Sequence, residues 1–105
     1  MALRISQNDF EEKVLKSDKP VLLDFYSDTC IPCKRIAGPL GEVEDAFEDQ
    51  IHVYKVNAVY DGELAEKYNV MSVPTLVFFV NGQEKDRLVG AAGKEQIIRL
   101  FEESL

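Results

Sequence analysis

Histidine, cysteine and basic side chains are all scarce in this 105-residue chain, and each scarcity removes a class of function. His52 is the single histidine, so a histidine-based metal site or a catalytic triad lacks its companions, and His52 reads as a plain strand residue. Two cysteines, Cys30 and Cys33, cannot make a disulfide framework or fill a four-thiolate zinc site within one chain. The 12 Lys and Arg side chains are outnumbered by 19 Asp and Glu, a net charge of −7. Such a surface repels phosphate, which excludes nucleic acid and anionic membranes as partners. No apolar run approaches the ~20 residues of a membrane span. The longest lies within Thr75–Val80 and is strand-sized. Linkers, repeats and low-complexity segments are missing, so the expectation is one domain over residues 1–105. The opening segment Met1–Ser6 has neither an apolar h-region nor a cleavage site, and the expected compartment is a reducing cytoplasm.

What is present is an ordinary globular balance, 46% hydrophobic and 30% charged. Ser6 and Asp9 have the spacing of a capping box, and Phe10, Val14 and Leu15 follow at helical spacing. A helix is expected from about Gln7 to Lys16, ended by Ser17-Asp18-Lys19-Pro20. Val21–Tyr26 is nearly continuously apolar, the signature of a strand buried on both faces. A long helix follows from Cys30 or Ile31 to about Phe47, with Pro32 tolerated in its first turn and a kink or an interruption expected at Gly38-Pro39. Ile51–Asn57 is strand-like, Gly62–Tyr68 a short helix and Leu76–Val80 another buried strand. Asn81-Gly82 signals a two-residue hairpin returning as an edge strand over Gln83–Val89, and Lys94–Glu103 closes the chain as an amphipathic helix. The order βαβαβαββα implies an α/β fold whose sheet is mainly parallel, with one antiparallel edge from the terminal hairpin.

The chemistry concentrates at Cys30-Ile31-Pro32-Cys33. Cys30 follows a buried strand and opens a helix, where unpaired backbone N–H groups and the macrodipole stabilise a thiolate. Thiolate is the attacking species in disulfide exchange. Cys33 lies about one turn later on the same face, within reach of the Cys30 sulfur and expected to be less exposed. Cys30 is therefore assigned the attack on a substrate disulfide and Cys33 the resolution of the mixed disulfide. The spacing fits a redox pair, with a relic on a binding module and half of an intermolecular metal site as the alternatives. Asp24 interrupts an apolar strand and shares a face with Leu22 and Tyr26. Six residues before Cys30, it falls beneath the new helix near Cys33, where a buried carboxyl with a raised pKa can take the Cys33 proton. The alternative is a strand-end carboxylate turned to solvent. Lys55, on the next strand-like segment, is either the charge that partners Asp24 or a surface lysine. The acidic group Glu42, Glu44, Asp45, Glu48 and Asp49 reads as a solvated helix face.

From about Ile5 to the C-terminus the chain resembles the thioredoxin family. The likeness is carried by Pro20–Phe25, Cys30–Lys34, Lys55-Val56-Asn57, Val73-Pro74-Thr75, Asn81-Gly82 and Val89-Gly90-Ala91. It implies a thioredoxin fold, a five-stranded mixed sheet flanked by four helices. The implied activity is that of a protein disulfide reductase recharged by a thioredoxin reductase-type electron donor, with no cofactor and no metal, acting as a monomer. Residue by residue, it implies Cys30 as nucleophile, Cys33 as resolver, Asp24 as the buried acid–base residue and Lys55 close to it. It also implies a cis peptide before Pro74, Val73 presenting backbone to substrate, and Gly90 on the docking groove.

The active-site motif departs from the family's Trp-Cys-Gly-Pro-Cys. Here it is Thr29-Cys30-Ile31-Pro32-Cys33, and the chain has no tryptophan at all. Thr29, Ile31 and Pro32 thus complete the expected docking residues with less aromatic surface and more aliphatic bulk. Tyr26 stands where a second tryptophan is common, and the helix proline falls one position late, at Pro39 after Gly38. The expected activity is still disulfide reduction by the Cys30/Cys33 pair; the departures at Thr29 and Ile31 lend some weight to the runner-up, a specialised redox protein with a dedicated partner, and a binding module is the rival of another class.

Overall fold

The structure, a computed structural model, describes residues 2–105. Met1, where both the expected domain and the segment read for a leader begin, lies outside them. Five strands form one sheet: β1 (Leu3–Arg4), β2 (Val21–Tyr26), β3 (His52–Asn57), β4 (Thr75–Val80) and β5 (Gln83–Val89), in the spatial order β1-β3-β2-β4-β5. A π-helical turn (Glu11–Leu15) and helices α1 (Ile31–Ala46), α2 (Gly62–Lys67) and α3 (Lys94–Phe101) flank it, with a 3₁₀ turn over Glu102–Ser104. β1 is the strand that the element order requires ahead of the first helix. Two residues long, it leaves no alternation to detect.

The sheet is mixed, but its antiparallel part is larger than one edge. β1 and β2 each pair with β3 in parallel, whereas β4 runs antiparallel to both β2 and β5. The chain enters β4 from the end of the sheet at which it left β3.

Strand alternation divides the core between the two sheet faces. Val21, Leu23 and Phe25 pack with Phe10, Val14, Leu64, Val77 and Phe79 on one face. Leu22, Leu76 and Phe78 pack with Ile36, Leu40 and Val43 of α1 and Ile97 and Phe101 of α3 on the other. Asp24, two residues from Leu22, falls on the α1 face.

Helix boundaries differ from expectation at both ends of the chain. The first helix is short: Lys16 N–H reaches Glu11 O across five residues at 2.9 Å, and Phe10 and Val14 point inward at the expected spacing. Asp9 explains the late start. Its carboxylate accepts the Ser6 N–H at 3.0 Å and the Ser6 hydroxyl at 3.1 Å, which folds the preceding residues into a turn. At the other end, α3 stops at Phe101 and tightens into the 3₁₀ turn. No interruption occurs at Gly38-Pro39, because α1 runs through Pro39 as one helix. Pro39 removes one N–H from the ladder, and buried Ile36, Leu40 and Val43 hold the helix to the sheet on both sides of that gap. At the hairpin tip Asn81 and Gly82 adopt φ +52° and +78°, the left-handed pair of a type I′ turn.

Candidate active site

Cys30 is the N-cap of α1. Its backbone is extended (φ −83°, ψ 110°) and its carbonyl accepts the Lys34 N–H at 3.4 Å. Its sulfur does what a capping oxygen does elsewhere, accepting the Cys33 N–H at 3.1 Å. Pro32 occupies the first turn without an N–H to leave unpaired, and no acidic residue lies there to oppose a thiolate. Cys30 and Cys33 are joined as a disulfide with their Cα atoms 5.2 Å apart. The expected contrast in exposure is not found: Cys30 is 8% exposed and Cys33 7%. What separates the two sulfurs is their surroundings. Cys30 Sγ sits at the helix N-terminus, 3.5 Å from the Val73 carbonyl oxygen. Cys33 lines a cavity beneath the helix.

That cavity, about 260 Å³, is bounded by Asp24 and Tyr26 of β2, Cys33, Lys34 and Leu40 of α1, and Lys55 of β3. Asp24 is 5% exposed, and its Oδ1 has no hydrogen-bond partner. Burial pushes its pKa up to about 7, and the positive charge of Lys55 pulls the other way. Desolvation wins because no ion pair joins the two among the described residues. Lys55 is the register partner of Asp24 on the neighbouring parallel strand, yet its Nζ lies over the Tyr26 ring, 5.2 Å from the centroid. The structure thus brings Lys55 beside Asp24 without making it a contact partner. Asp24 and Cys33 line the same cavity.

The remaining expected residues ring the Cys30 end of α1. The Val73–Pro74 peptide is cis. The Pro74 carbonyl accepts the Gly90 N–H at 2.8 Å, which ties the end of β5 to the segment facing Cys30. Gly90 has φ +95°, a conformation that favours glycine. Thr29 and Pro32 are exposed, and Ile31 is 61% exposed.

Three positioning features have no counterpart in the sequence reading. Asn57, 1% exposed at the end of β3, accepts the N–H groups of Val59 and Tyr60 through Oδ1 at 2.9 and 3.1 Å. Its Nδ2 donates to Asp28 at 3.4 Å, fastening the loop that leads into Cys30. The signal available was an Asn closing a strand, the residue type that makes such turns with its own backbone. Arg87 donates to the Tyr68 carbonyl at 2.7 Å and the Asn69 carbonyl at 3.4 Å, while Glu84 accepts from its Nε and Nη2. It binds β5 to the end of α2 and had no sequence signal. The third is Tyr26 under Lys55, whose only signal was the spacing of Tyr26 from Asp24. Among the described residues no group of three His, Cys, Asp or Glu side chains is placed to hold a metal ion.

The chain matches the family model for thioredoxin over residues 1–103. It is 39% identical to the thioredoxin of Rickettsia bellii over 98 residues, 93% of each chain. It is 36% identical to thioredoxin 1 of a Nostoc species over 104 residues, 99% of this chain and 97% of the relative. A third relative, the bifunctional thioredoxin reductase/thioredoxin of Mycobacterium leprae, is 36% identical over 94% of this chain, which spans 22% of that larger protein. A match of this extent, around a cysteine pair held at the start of a helix, shows that the chain belongs to the thioredoxin family and is a thiol–disulfide oxidoreductase.

Proposed function

We propose that this protein reduces protein disulfides, with Cys30 as the attacking and Cys33 as the resolving thiol. The observation that carries the reading is the different setting of the two sulfurs: Cys30 at the α1 N-terminus, Cys33 over the cavity that holds Asp24. In the dithiol form the Cys30 thiolate attacks one sulfur of the substrate disulfide. A Cys30–substrate bond forms, and the other substrate sulfur leaves as a thiolate that takes a proton. The Asp24 carboxylate then accepts the Cys33 proton. The Cys33 thiolate attacks Cys30 Sγ, the substrate's second sulfur departs with the electron pair, and the Cys30–Cys33 disulfide remains. A pKa of about 7 suits Asp24 to this step, since it exchanges a proton near neutral pH.

The oxidised pair needs an electron donor, and a thioredoxin reductase-type protein is the fitting class. The Mycobacterium leprae relative, named for both functions in one chain, supports that pairing. The reaction suits a monomer in a reducing cytoplasm, acting without metal or organic cofactor. A second reading, a redox protein with one dedicated target, is favoured by exposed Ile31 between the cysteines. A third, in which the fold only docks and the cysteines are incidental, predicts docking that survives loss of both sulfurs. Equilibration of the dithiol against glutathione buffers tests the central reading. A midpoint at or below the glutathione poise marks a reductant, and a strongly oxidising one marks a disulfide donor and overturns it.

A further inference from the structure

Tyr26 and Asp24 point to the same side of β2, and Lys55 stands opposite Asp24 on β3. From that position a lysine side chain has two places for its ammonium: against the carboxyl or over the ring. It takes the ring, 5.2 Å from the centroid, while Asp24 Oδ1 is left without a partner. We propose that Tyr26 is a positioning residue that acts on Asp24 through Lys55, its ring holding the ammonium at the cavity wall and out of contact with the carboxyl.

Geometry and solvation both favour this placement. An aromatic face attracts a cation without requiring it to shed all its water, whereas an ion pair with a buried carboxylate takes both charges out of solvent. The other charged groups do not substitute for Lys55. Lys34 and Asp28 line the same cavity, yet Lys55 is the one whose charge reaches Asp24 appreciably. Arg4, the register partner of Lys55 on β1, has its guanidinium 5.5 Å from the centroid of the Tyr60 ring. Cys33, also at the cavity, carries no ionisable proton in the disulfide. The ring thereby keeps Asp24 able to bind a proton near neutral pH. This matters for the role proposed above, on which the inference rests.

Titration of the Asp24 carboxyl carbon by NMR in the oxidised protein tests it, because the cysteines do not titrate there. Tyr26→Leu removes the ring and keeps apolar bulk, so Lys55 is released towards the carboxyl. The Asp24 midpoint is expected to fall by about one pH unit or more. Tyr26→Phe keeps the ring and is expected to hold the parent midpoint. In a Lys55→Met background, Tyr26→Leu is expected to produce no fall. An unchanged or raised midpoint in Tyr26→Leu overturns the proposal, as does an equal fall when Lys55 is absent. The titration reads the positioning whether or not Asp24 carries the Cys33 proton, which the rate of the Asp24→Asn variant reads separately.

Discussion

Cys30 Sγ lies 3.5 Å from the carbonyl oxygen of Val73, a residue 43 positions later in the chain. In the disulfide this is a contact between two electron-rich atoms. In the dithiol the Cys30 S–H can donate to that oxygen. Once the proton leaves, the carbonyl repels the thiolate while the Cys33 N–H and the α1 N-terminus hold it. The segment that carries Pro74 thus helps to set the surroundings of the Cys30 sulfur.

Cys30→Ser is expected to abolish reduction of a protein disulfide such as insulin, because the attacking sulfur is lost. Cys33→Ser is expected to stop after the first exchange and hold the substrate covalently on Cys30. Mass spectrometry of the trapped adduct checks the assignment. Since exposure does not distinguish the two sulfurs, the experiment weighs only their surroundings. An adduct on Cys33 in the Cys30→Ser variant would reverse the roles.

Asp24→Asn is expected to slow resolution and to stabilise the fold in a pH-dependent way. The Asp24 pKa is raised from 3.8 to about 7, so between those values the folded protein binds a proton that the unfolded chain releases. Stability falls as pH rises through that window and stays low above it. At about 1.4 kcal/mol for each pH unit, the ionised carboxyl costs up to about 4 kcal/mol at pH 8 and almost nothing at pH 4. Chemical denaturation of the two proteins should give midpoints that coincide in acid and diverge in base. Turnover indifferent to the substitution from about pH 6 to about pH 9 removes Asp24 from the proton path.

Gly82→Ala is expected to destabilise the protein and leave exchange chemistry intact. Gly82 has φ +78°, and a Cβ there would lie 2.7 Å from the Leu15 backbone oxygen. Strain and collision with backbone together should cost about 2 kcal/mol, a drop in Tm of roughly 10 °C. The turn joins β4 and β5 at the end of the sheet away from Cys30, so the rate of reduction at a temperature where both proteins are folded should match.

Sequence reading succeeded where a local pattern and a global demand coincide. The run from Val21 to Tyr26 can be buried on both faces only in the middle of a sheet, and β2 is central. Asn81-Gly82 requires left-handed backbone, and β5 begins at the expected Gln83. The pair Cys30 and Cys33 points to disulfide chemistry through its spacing together with its place between a buried strand and a helix. What was not legible depends on path and partner. The direction of β4 depends on the path the chain takes after β3, which periodicity does not encode. The equal burial of the two cysteines depends on what covers them. Lys55 shows the limit most clearly. Its register opposite Asp24 is a backbone property, but its choice of Tyr26 is made by side chains whose competition appears only when all three are in place.

Thr29→Trp combined with Ile31→Gly is expected to raise activity on varied protein disulfides and change the rate with small disulfides little. In the family pattern, tryptophan and glycine flank the nucleophile and form a broad, flat surface. Here Thr29 offers little apolar area, and Ile31, 61% exposed, projects an aliphatic side chain between the cysteines. The lost aromatic contact is worth about 1–3 kcal/mol of docking energy, roughly 5- to 150-fold in affinity. Ile31 returns part of that only to a substrate shaped to meet it. A small disulfide needs only the Cys30 sulfur and the backbone N–H groups at the N-terminus of α1, and the double variant exchanges side chains there while keeping both. Stopped-flow rates on both substrate classes, parent against variant, separate docking from chemistry. A parent protein that already reduces varied proteins as fast as the variant shows that docking at Thr29 and Ile31 does not limit the reaction, and the specialised reading of the motif then fails.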